Sequence, residues 1–537
     1  MKILLIIPRY SLTNKKDYQY VFPLGMGYIS STLKKSGYPV DIINFNHLNG
    51  KTEDLIKKQL DKINYDIVMT GHISMGYAIT EKIIQAVKNH FSKPKFILGG
   101  SLITSEPELI FNALNPDFAV LGEGEITILE LLKELQKPKP ELKNIDGIIF
   151  RQNNQLIKTK CREQIMNLDL IPTPDFDGLS FAEKLDNEAN NFNIYNLFDF
   201  PRTYPILTSR GCAYNCTFCY HTLGRKYRTR SIDNVMDELE FAVKKYRINI
   251  LEIIDDLFSV NKERLYEFCK RLKKFVNSLS WECKWECQLA VNTIDKEMLR
   301  TLKNSGCHAI SYGFESYSQE VLKSMKKPIT PEQIDNAIKL TIESGLSIQG
   351  NFIFGDINET KKTAEETLDY WKKNCNGQVK LGFIQPYPGS EIYNHSVKKG
   401  IIKDRLDFIK NKVSHTNWFN MTNSMTDKEI EQLKKDILEA RRKYIPYAIH
   451  KKIRKTNKPD YYNITAKCPY CRHIVEYKNC FIENPIHYNM HVSCRNCRLR
   501  FFIVSRLYKI GNDYYNQLDF LRRNYLLVRD NFLKKKI

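Results

Sequence analysis

The chain has 537 residues, about three or four domains' worth, and its 42% hydrophobic and 27% charged residues exclude a disordered chain, a collagen-like repeat and a coiled coil. Lysine and arginine outnumber aspartate and glutamate by 82 to 61, and such an excess can favour nucleic acid or an anionic membrane. The basic residues are scattered along the chain, which favours a generally basic composition over a dedicated binding surface.

The first predicted element, residues 2–8, is a short β-strand rather than a targeting segment. Its apolar run ends at Pro8 and Arg9, and it lacks the charged region, long apolar core and cleavage site of a signal peptide. No stretch approaches the roughly 20 apolar residues that span a bilayer. We therefore expect a cytoplasmic protein without a transmembrane segment, in which 14 reduced cysteines favour metal binding.

Residues 1–145 alternate short apolar segments with amphipathic ones. This pattern is typical of a parallel sheet wrapped by helices, in which ligands bind at the carboxyl ends of the strands. Further strands are predicted at residues 40–45, 67–71, 95–99 and 118–121, and helices at 25–35, 52–63, 77–91 and 125–135. Glycine-containing turns that would let a flat ligand approach the backbone stand at Pro23-Leu24-Gly25, Gly71-His72, Gly99-Gly100 and Gly122-Glu123-Gly124-Glu125.

Residues 136–200 contain two proline-broken stretches and are expected to form a linker. The alternation of strands and helices then resumes and predicts a full or partial α/β barrel. Its strands are expected at residues 251–254, 309–313, 347–354 and 382–385, with helices such as 232–246 and 296–305 between them. A basic helical stretch at 426–455, a cysteine-rich module at 467–504 and an aromatic, basic tail complete the chain.

Three cysteines with CxxxCxxC spacing, Cys212, Cys216 and Cys219, lie in a loop after a predicted strand at 204–208. Three thiolates on one short loop can hold three irons of a [4Fe–4S] cluster and leave the fourth iron open to a substrate or cofactor. The alternative is a set of buried or zinc-binding cysteines. Structural zinc requires a fourth protein ligand, which His221 could supply.

This trio, with an aromatic residue before its last cysteine, resembles the cluster loop of radical S-adenosylmethionine (SAM) enzymes. Four later segments resemble motifs of that family in the expected order: residues 254–258, 312–316, 353–360, where Ile357 replaces a proline, and 386–390. The resemblance implies a SAM-cleaving barrel whose cluster is held by the cysteine trio. It also implies SAM contacts at Tyr220, Asp256, Gly313, Glu315 and Ser316.

Two carboxylates, Asp255 and Asp256, end a buried strand and favour a polar ligand contact over a solvated turn. Glu315 follows an apolar run, and a buried glutamate without a partner is costly, so SAM is the expected partner. Ala290 stands where many relatives have an arginine, which puts one contact to the SAM carboxylate in doubt.

The glycine turns of residues 1–145 resemble the cobalamin-binding domain that precedes the barrel in a large subclass of this family. The implied cobalamin contacts are Leu24, Gly25, Gly71, Ser74, Gly99, Gly100, Gly122 and Glu123. Corrinoid proteins in which a histidine ligates the lower face of cobalt often carry the motif D-x-H-x-x-G. Here Phe45 replaces the aspartate of that motif, two residues before His47. Without that carboxylate the imidazole lacks an orienting partner, so we expect no histidine ligand on cobalt.

Two CxxC pairs, Cys468/Cys471 and Cys494/Cys497, have the spacing of a zinc ribbon. Four thiolates form a closed tetrahedral site, which favours structural Zn²⁺, with a second iron–sulfur cluster as the alternative. Cys480, His473, His487 and His491 are interpreted as non-ligands. Basic and aromatic residues near the pairs could bind nucleic acid, although residues 499–504 also fit an ordinary strand: Arg472, Arg495, Arg498, Arg500, Phe501 and Phe502.

The resemblance implies an enzyme that cleaves SAM reductively and uses cobalamin to modify an unactivated carbon of a small-molecule or lipid-like substrate, by methyl transfer in the leading interpretation. Radical ring closure or rearrangement needs the same cofactors and stays open. An electron donor such as flavodoxin or ferredoxin is implied as well. Residues 1–160 contain no cysteine, which excludes a methylthiotransferase, since that class carries three further cluster cysteines there. A non-catalytic metal-binding protein would leave the Glu315 segment unexplained.

The predicted protein is thus of the α/β class. It combines a Rossmann-like cobalamin-binding domain, a partial (β/α)6 TIM-type radical SAM barrel and a helical carboxy-terminal region with a small zinc ribbon. The expected segments are a cobalamin-binding domain at 1–145, a linker at 146–200, the barrel at 201–400, a helical region at 401–460, the ribbon at 461–505 and a tail at 506–537.

Overall fold

The amino-terminal sheet follows the alternation read from the sequence. A computed structural model describes residues 1–10, 13–192, 196–258, 260–413 and 419–513. The first strands are β1 (Ile3–Ile7), β2 (Val40–Asn44), β3 (Ile67–Gly71), β4 (Lys95–Gly99), β5 (Phe118–Val120), β6 (Ile148–Gln152) and β7 (Gln155–Lys158). They lie in the order β2-β1-β3-β4-β5-β6-β7, parallel as far as β5 and antiparallel beyond it. The sheet therefore continues past residue 145 into the segment expected to be a linker.

Alternate side chains of this sheet enter two different hydrophobic layers, as a strand's two-residue period requires. Leu5 joins a core that continues into the barrel, whereas Leu4 joins a separate core on the other face. The helices that cover the two faces are α1 (Leu24–Lys35), α2 (Thr52–Lys62), α3 (Tyr77–Lys88), α4 (Ser101–Ser105), α5 (Pro107–Leu114) and α6 (Gly124–Leu135).

The connection between the two sheets is packed rather than extended. Phe176, near the short helix α7 (Phe181–Asp186), stacks on Phe22 with ring centroids 4.8 Å apart, and it lies 4.6 Å from the ring of Tyr204. Because Phe22 belongs to the first domain and Tyr204 to the first barrel strand, this aromatic cluster joins the two sheets in one core.

The second sheet is a six-stranded parallel sheet, as expected for a partial barrel. Its strands are β8 (Thr203–Ile206), β11 (Ile250–Ile253), β12 (Lys284–Leu289), β13 (Cys307–Glu315), β14 (Ser347–Phe354) and β15 (Lys380–Phe383), and they pair in chain order. A two-stranded ribbon, β9 (Ser209–Arg210) and β10 (Arg228–Thr229), follows β8. The helices are α8 (Ile232–Tyr246), α9 (Lys262–Val276), α10 (Lys296–Asn304), α11 (Gln319–Ser324), α12 (Pro331–Glu343), α13 (Lys361–Asn374) and α14 (Glu391–Lys398).

The helix predicted across residues 426–455 is shorter than the sequence suggested. After α15 (Arg405–Asp407), α16 (Asp427–Tyr444) begins at a capping box formed by Thr426 and Glu429. It ends two residues before Pro446, because proline disfavours helix in the residue before it and cannot donate a backbone hydrogen bond. The prediction is therefore wrong beyond Tyr444, where strands replace the helix: β16 (Tyr447–Ile449) and β17 (Lys452–Lys455).

The carboxy-terminal module consists of two three-stranded sheets. Their remaining strands are β18 (Tyr461–Lys467), β19 (Ile474–Phe481), β20 (Asn489–Ser493) and β21 (Arg500–Val504), and α17 (Arg506–Asp513) follows. The orders are β16-β21-β20 and β17-β18-β19, around a small separate core. Among the described residues, no helix is both long enough and apolar enough to cross a membrane.

Candidate functional site: a cavity shared by two sheets

The carboxyl ends of the two sheets face a common cavity of about 490 Å³. Seven of the eight residues implied as cobalamin contacts line it from the first domain: Leu24, Gly25, Gly71, Gly99, Gly100, Gly122 and Glu123. Ser74 does not line it, and its hydroxyl lies 3.5 Å from that of Ser105. The barrel lines the opposite side with Leu207, Ser209, Arg210, Thr222, Leu223, Ile254 and Asp256. Among the described residues implied for the cluster and SAM, Asp256 lines this space, whereas the three cysteines, Tyr220, Gly313, Glu315 and Ser316 do not.

Glycine is required where the cavity wall is most tightly packed. Gly100 has φ of +88°, and a Cβ there would lie 2.7 Å from the backbone oxygen of His72. At Gly71 a Cβ would lie 3.3 Å from the backbone of Gly99. A side chain at Gly100 would displace the backbone of His72, and a Cβ at Gly71 would crowd Gly99, so these glycines let the turns after β3 and β4 pack closely together.

Two histidines lie near this edge, and the structure gives them different surroundings. The Nδ1 atom of His47 lies 3.0 Å from Glu183 Oε2, and its Nε2 lies 2.9 Å from the hydroxyl of Tyr20. The linker thus supplies the carboxylate that Phe45 does not, but both ring nitrogens of His47 are engaged and the residue does not line the cavity. His72, which does line it, was not considered from the sequence as a site residue.

The His72 ring is held so that one nitrogen is occupied. Its Nδ1 accepts a hydrogen bond of 2.8 Å from the backbone N–H of Ile73. Burial lowers the pKa of His72 to about 4, so the ring is neutral at physiological pH. A neutral ring whose Nδ1 accepts must carry its proton on Nε2, and that nitrogen is then a donor rather than a metal ligand.

The cysteine trio lies in the loop that joins β9 and β10. Four hydrogen bonds to the buried Asp255 carboxylate hold the start of this loop, two from Thr208 and two from Ser209, at 2.5–3.1 Å. Farther on, the N–H of Thr217 donates to Met325 O at 3.0 Å, and its C=O accepts from Ile392 N at 3.0 Å. Asp255 is thus a structural residue, whereas Asp256 next to it faces the cavity, where burial raises its pKa.

The trio differs from a compact metal-binding set. Among the described residues, the only group of three or more His, Cys, Asp or Glu donor atoms that all lie within 4.8 Å of one another is elsewhere in the chain, and it includes neither the trio nor His221. A hydrogen bond with Cys219 lowers the pKa of Cys216, while burial raises that of Cys212. In the described parts of the chain, the trio and His221 thus do not form the compact four-ligand set that structural zinc requires.

A buried ion pair beside the trio joins Glu315 to Lys327, with Nζ 3.0 Å from Oε1. Burial alone would lower the pKa of Lys327, but the Glu315 carboxylate and the nearby Cys216 raise it above its ordinary value. A Cβ at Gly313 would overlap Glu315 Oε1 and lie 2.7 Å from Lys327 Nζ, so this glycine makes room for the pair. The ammonium group is thus held between Glu315 and the cluster loop.

Lys327 is a candidate site residue that the sequence did not reveal. The available signal was indirect: Ala290 lacks the expected cation, and a Lys326-Lys327-Pro328 stretch follows α11. Of the other implied SAM contacts, the Ser316 hydroxyl lies 3.1 Å from Thr367 Oγ1, which ties it to α13. The Tyr220 ring packs against Gly389, where a Cβ would lie 2.5 Å from the ring.

Unpartnered polar atoms provide a test of whether cofactors fit here. Thr217 Oγ1, His221 Nε2 and Gln385 Nε2 are among the buried side-chain atoms without a hydrogen-bond partner in the described parts of the chain. Two of them lie on the cluster loop and the third follows β15. Each such atom costs about 1–3 kcal/mol if it stays unpaired, so a polar ligand at the barrel top fits these residues.

The carboxy-terminal cysteines form the compact set. The sulfur atoms of Cys468 and Cys497 are 3.8 Å apart, those of Cys471 and Cys494 are 3.6 Å apart, and all four lie within 4.8 Å of one another. With Zn–S bonds of about 2.3 Å, a tetrahedron has sulfur–sulfur edges of about 3.8 Å. This geometry fits zinc, and neither Cys480 nor a histidine joins the group.

The module docks on the amino ends of the barrel strands through its basic residues. The guanidinium group of Arg495 pairs with Asp199 at 2.7 Å. Arg500 is fully buried, and its backbone N–H donates to Gln378 Oε1 at 2.7 Å. The backbone oxygen of Arg498 accepts a hydrogen bond from the Ser347 hydroxyl. Phe501 is likewise fully buried. The side chains of Arg495 and Arg500 are thus engaged within the chain and Phe501 belongs to the core of the module, so these residues do not support the nucleic-acid alternative.

Comparisons with known proteins agree with this architecture. Residues 11–132 match the B12 binding domain family, and residues 206–370 match the radical SAM superfamily. An uncharacterized methyltransferase of Pyrococcus horikoshii is 30% identical over 410 residues, covering 75% of this chain and 84% of that protein. An anaerobic magnesium-protoporphyrin IX monomethyl ester cyclase of Rubrivivax gelatinosus is 26% identical over 402 residues, covering 73% and 69%.

A solved structure shares the fold. The radical SAM methyltransferase TsrM from Kitasatospora setae, determined with cobalamin and a [4Fe–4S] cluster bound, aligns with a TM-score of 0.60 and 15% identity over 75% of this chain and 76% of that one.

Proposed function

The chain belongs to the radical SAM enzymes that carry a cobalamin-binding domain, and from this premise we propose that it transfers a methyl group to an unactivated carbon of a small-molecule or lipid-like substrate. The observation that carries the proposal is the single cavity lined by both the glycine edge of the first sheet and the top of the barrel. Methyl transfer requires the two cofactors to meet, and separate pockets would prevent it.

The residues of the cavity and of the neighbouring cluster loop have separate proposed roles. Cys212, Cys216 and Cys219 would hold the [4Fe–4S] cluster, and Lys327 would bind the SAM carboxylate in place of the arginine missing at Ala290. When bound, the cluster and SAM supply a 5′-deoxyadenosyl radical, and cobalamin supplies a methyl carrier. Asp256 faces the shared space as a polar contact, and the bare backbone after β3 and β4 leaves room for the corrin ring.

The remaining assignments concern structure and partners. We assign structural zinc to the four ribbon cysteines, and a cytoplasmic location to a chain whose 14 cysteines are all free thiols. A small electron carrier such as flavodoxin or ferredoxin would reduce the cluster, and a net charge of +21 favours an anionic protein for that role. Because the first sheet reaches Lys158, we place the end of the cobalamin-binding domain near residue 160 rather than 145.

The test is anaerobic reconstitution with iron, sulfide and hydroxocobalamin, followed by incubation with SAM and a reductant. Methyl donation from SAM leaves S-adenosylhomocysteine, whereas radical formation releases 5′-deoxyadenosine, and we expect both products. Replacing the three cysteines of the cluster loop by alanine should abolish 5′-deoxyadenosine release and remove about four irons per chain. Unchanged iron content in that variant would overturn the cluster assignment.

The second candidate function is radical ring closure, and the similarity to a cyclase favours it. It would use the same residues but consume no methyl group. Release of 5′-deoxyadenosine without any S-adenosylhomocysteine, from protein that has taken up cobalamin, would favour this function over methyl transfer.

A further inference from the structure

Two arginines stand directly opposite each other at the base of the cluster loop. Arg210 in β9 pairs with Arg228 in β10, and the loop that carries the three cysteines begins at the next residue, Gly211. Both side chains reach the cobalamin-binding domain. There they meet the same carboxylate, Glu123, which follows β5.

Glu123 contacts one arginine with each of its oxygens. Its Oε1 lies 2.9 Å from Arg210 Nη1, and its Oε2 lies 2.7 Å from Arg228 Nη1. Glu125 adds a second contact to Arg210, with Oε1 2.7 Å from Nη2. The side chains are almost fully buried, with exposures of 5% for Arg210, 1% for Arg228, 5% for Glu123 and 9% for Glu125.

Glu123, Arg228 and Arg210 each make further contacts besides these ion pairs. The N–H of Ile165 donates to Glu123 Oε2 at 2.8 Å, and Arg228 donates to the backbone oxygens of Ile165 and Leu223 at 2.8 and 2.7 Å. Arg210 also lies over the ring of Tyr28, 4.9 Å from its centroid. Two carboxylates and two guanidinium groups balance in charge, so the cluster avoids the penalty of an unpaired buried ion.

A buried ion cluster of this kind contributes little net stability, because its attraction mainly offsets desolvation. It does impose geometry, since a carboxylate can meet two guanidinium groups at these distances in few arrangements. Gly122, Glu123 and Gly124 line the shared cavity, and Arg210 is two residues from Cys212. The cluster therefore ties the corrinoid-facing edge of one domain to the cysteine loop of the other.

We propose that Glu123 is a positioning residue that fixes the distance between the cluster loop and the cobalamin site by holding Arg210 and Arg228 together. This inference rests on the proposed function, and it assigns the Glu123 carboxylate to the domain interface rather than to cobalamin. A misplacement of about 1 Å between reacting groups can reduce a rate by about 100-fold, so small changes in this contact matter.

The test separates a reaction that needs both domains from one that needs the barrel alone. Glu123→Asp keeps the charge but shortens the side chain by one methylene, so it cannot span both arginines. In holoenzyme without added substrate, we expect S-adenosylhomocysteine formation to fall about 10–100-fold, because it requires SAM and cobalamin to meet. Release of 5′-deoxyadenosine should stay within about twofold, because it depends only on the cluster and SAM within the barrel.

The matched control is Glu238→Gln. Glu238 is also a buried carboxylate paired with an arginine, Arg230 at 2.7 Å, but both residues belong to the barrel. This variant should lower thermal stability without changing the ratio of the two products. If Glu123→Asp fails to fold, Arg228→Lys serves instead, because lysine keeps the charge but loses the planar set of donors.

The outcomes are distinguishable. An unchanged product ratio in Glu123→Asp, or in Arg228→Lys where that variant replaces it, would overturn the positioning role. An equal change in the Glu238→Gln control would do the same. Wild-type protein that takes up no hydroxocobalamin, or forms no S-adenosylhomocysteine, would overturn the proposed function instead.

Discussion

At the scale of single residues, the sequence located the chemistry but not all of the groups that support it. The spacing of Cys212, Cys216 and Cys219 is visible in the chain, and so is the Gly313–Glu315 segment. Lys327 could not be predicted, because its role depends on where the chain returns after α11. The environment of His47 was also hidden, since Glu183 comes from a linker 136 residues away.

Replacing Lys327 by methionine should weaken SAM binding. A charge-assisted hydrogen bond contributes about 1.5–3 kcal/mol, which corresponds to an increase of roughly 10–100-fold in the Kd measured by equilibrium dialysis. Lys326→Met is the matched control, because Lys326 is 51% exposed and pairs with Glu391 at the surface, whereas Lys327 is 14% exposed. Equal affinity for SAM in Lys327→Met and wild type would exclude the assigned contact.

Cobalt should have no histidine ligand, because His47 is engaged by Glu183 and Tyr20 and His72 presents a protonated Nε2. The electron paramagnetic resonance spectrum of bound cob(II)alamin should therefore show no splitting that arises from a histidine nitrogen. The variants His47→Ala and His72→Ala should show the same spectrum. A nitrogen splitting in wild type that disappears in either variant would identify that histidine as the ligand.

At the scale of elements, periodicity predicted β1 to β5 of the first sheet and five of the six strands of the second, and it failed where local signals compete. Lysine and glutamate continue the helical pattern of α16, but Pro446 ends it. The strands β6 and β7 were missed because they pair antiparallel at an edge, outside the alternation of strand and helix that revealed the rest. The grouping of the four carboxy-terminal cysteines could be predicted because the spacing of two CxxC pairs is independent of the surrounding fold.

Replacing Cys468 and Cys471 by serine should remove about one zinc ion per chain and destabilise the module, because a closed four-cysteine site contributes directly to folding. SAM cleavage should be partly retained, since the module docks on the opposite end of the barrel from the cavity. Cys480→Ala is the control: this buried thiol lies outside the metal group and should leave the zinc content unchanged. Finding iron at this site by elemental analysis would contradict the assignment.

At the scale of the whole molecule, the sequence predicted two cofactor domains but not how they meet. Strand order places each ligand edge at the carboxyl ends of its own sheet. The facing of the two edges depends on contacts between distant residues, such as the stacking of Phe22 on Phe176 and the contact of Glu123 with Arg210 and Arg228. The residues next to a glycine-rich turn or a charged side chain in the sequence do not indicate which distant residue it will contact.

The central claim is that the cluster loop and the corrinoid edge share one cavity. The most direct measurement is the magnetic interaction between the reduced cluster and cob(II)alamin in the reconstituted protein. We expect the reduced cluster to accelerate the spin relaxation of cob(II)alamin. This effect should vanish when Cys212, Cys216 and Cys219 are replaced by alanine while the corrinoid stays bound. Relaxation of cob(II)alamin that is the same with and without the reduced cluster would contradict the shared cavity.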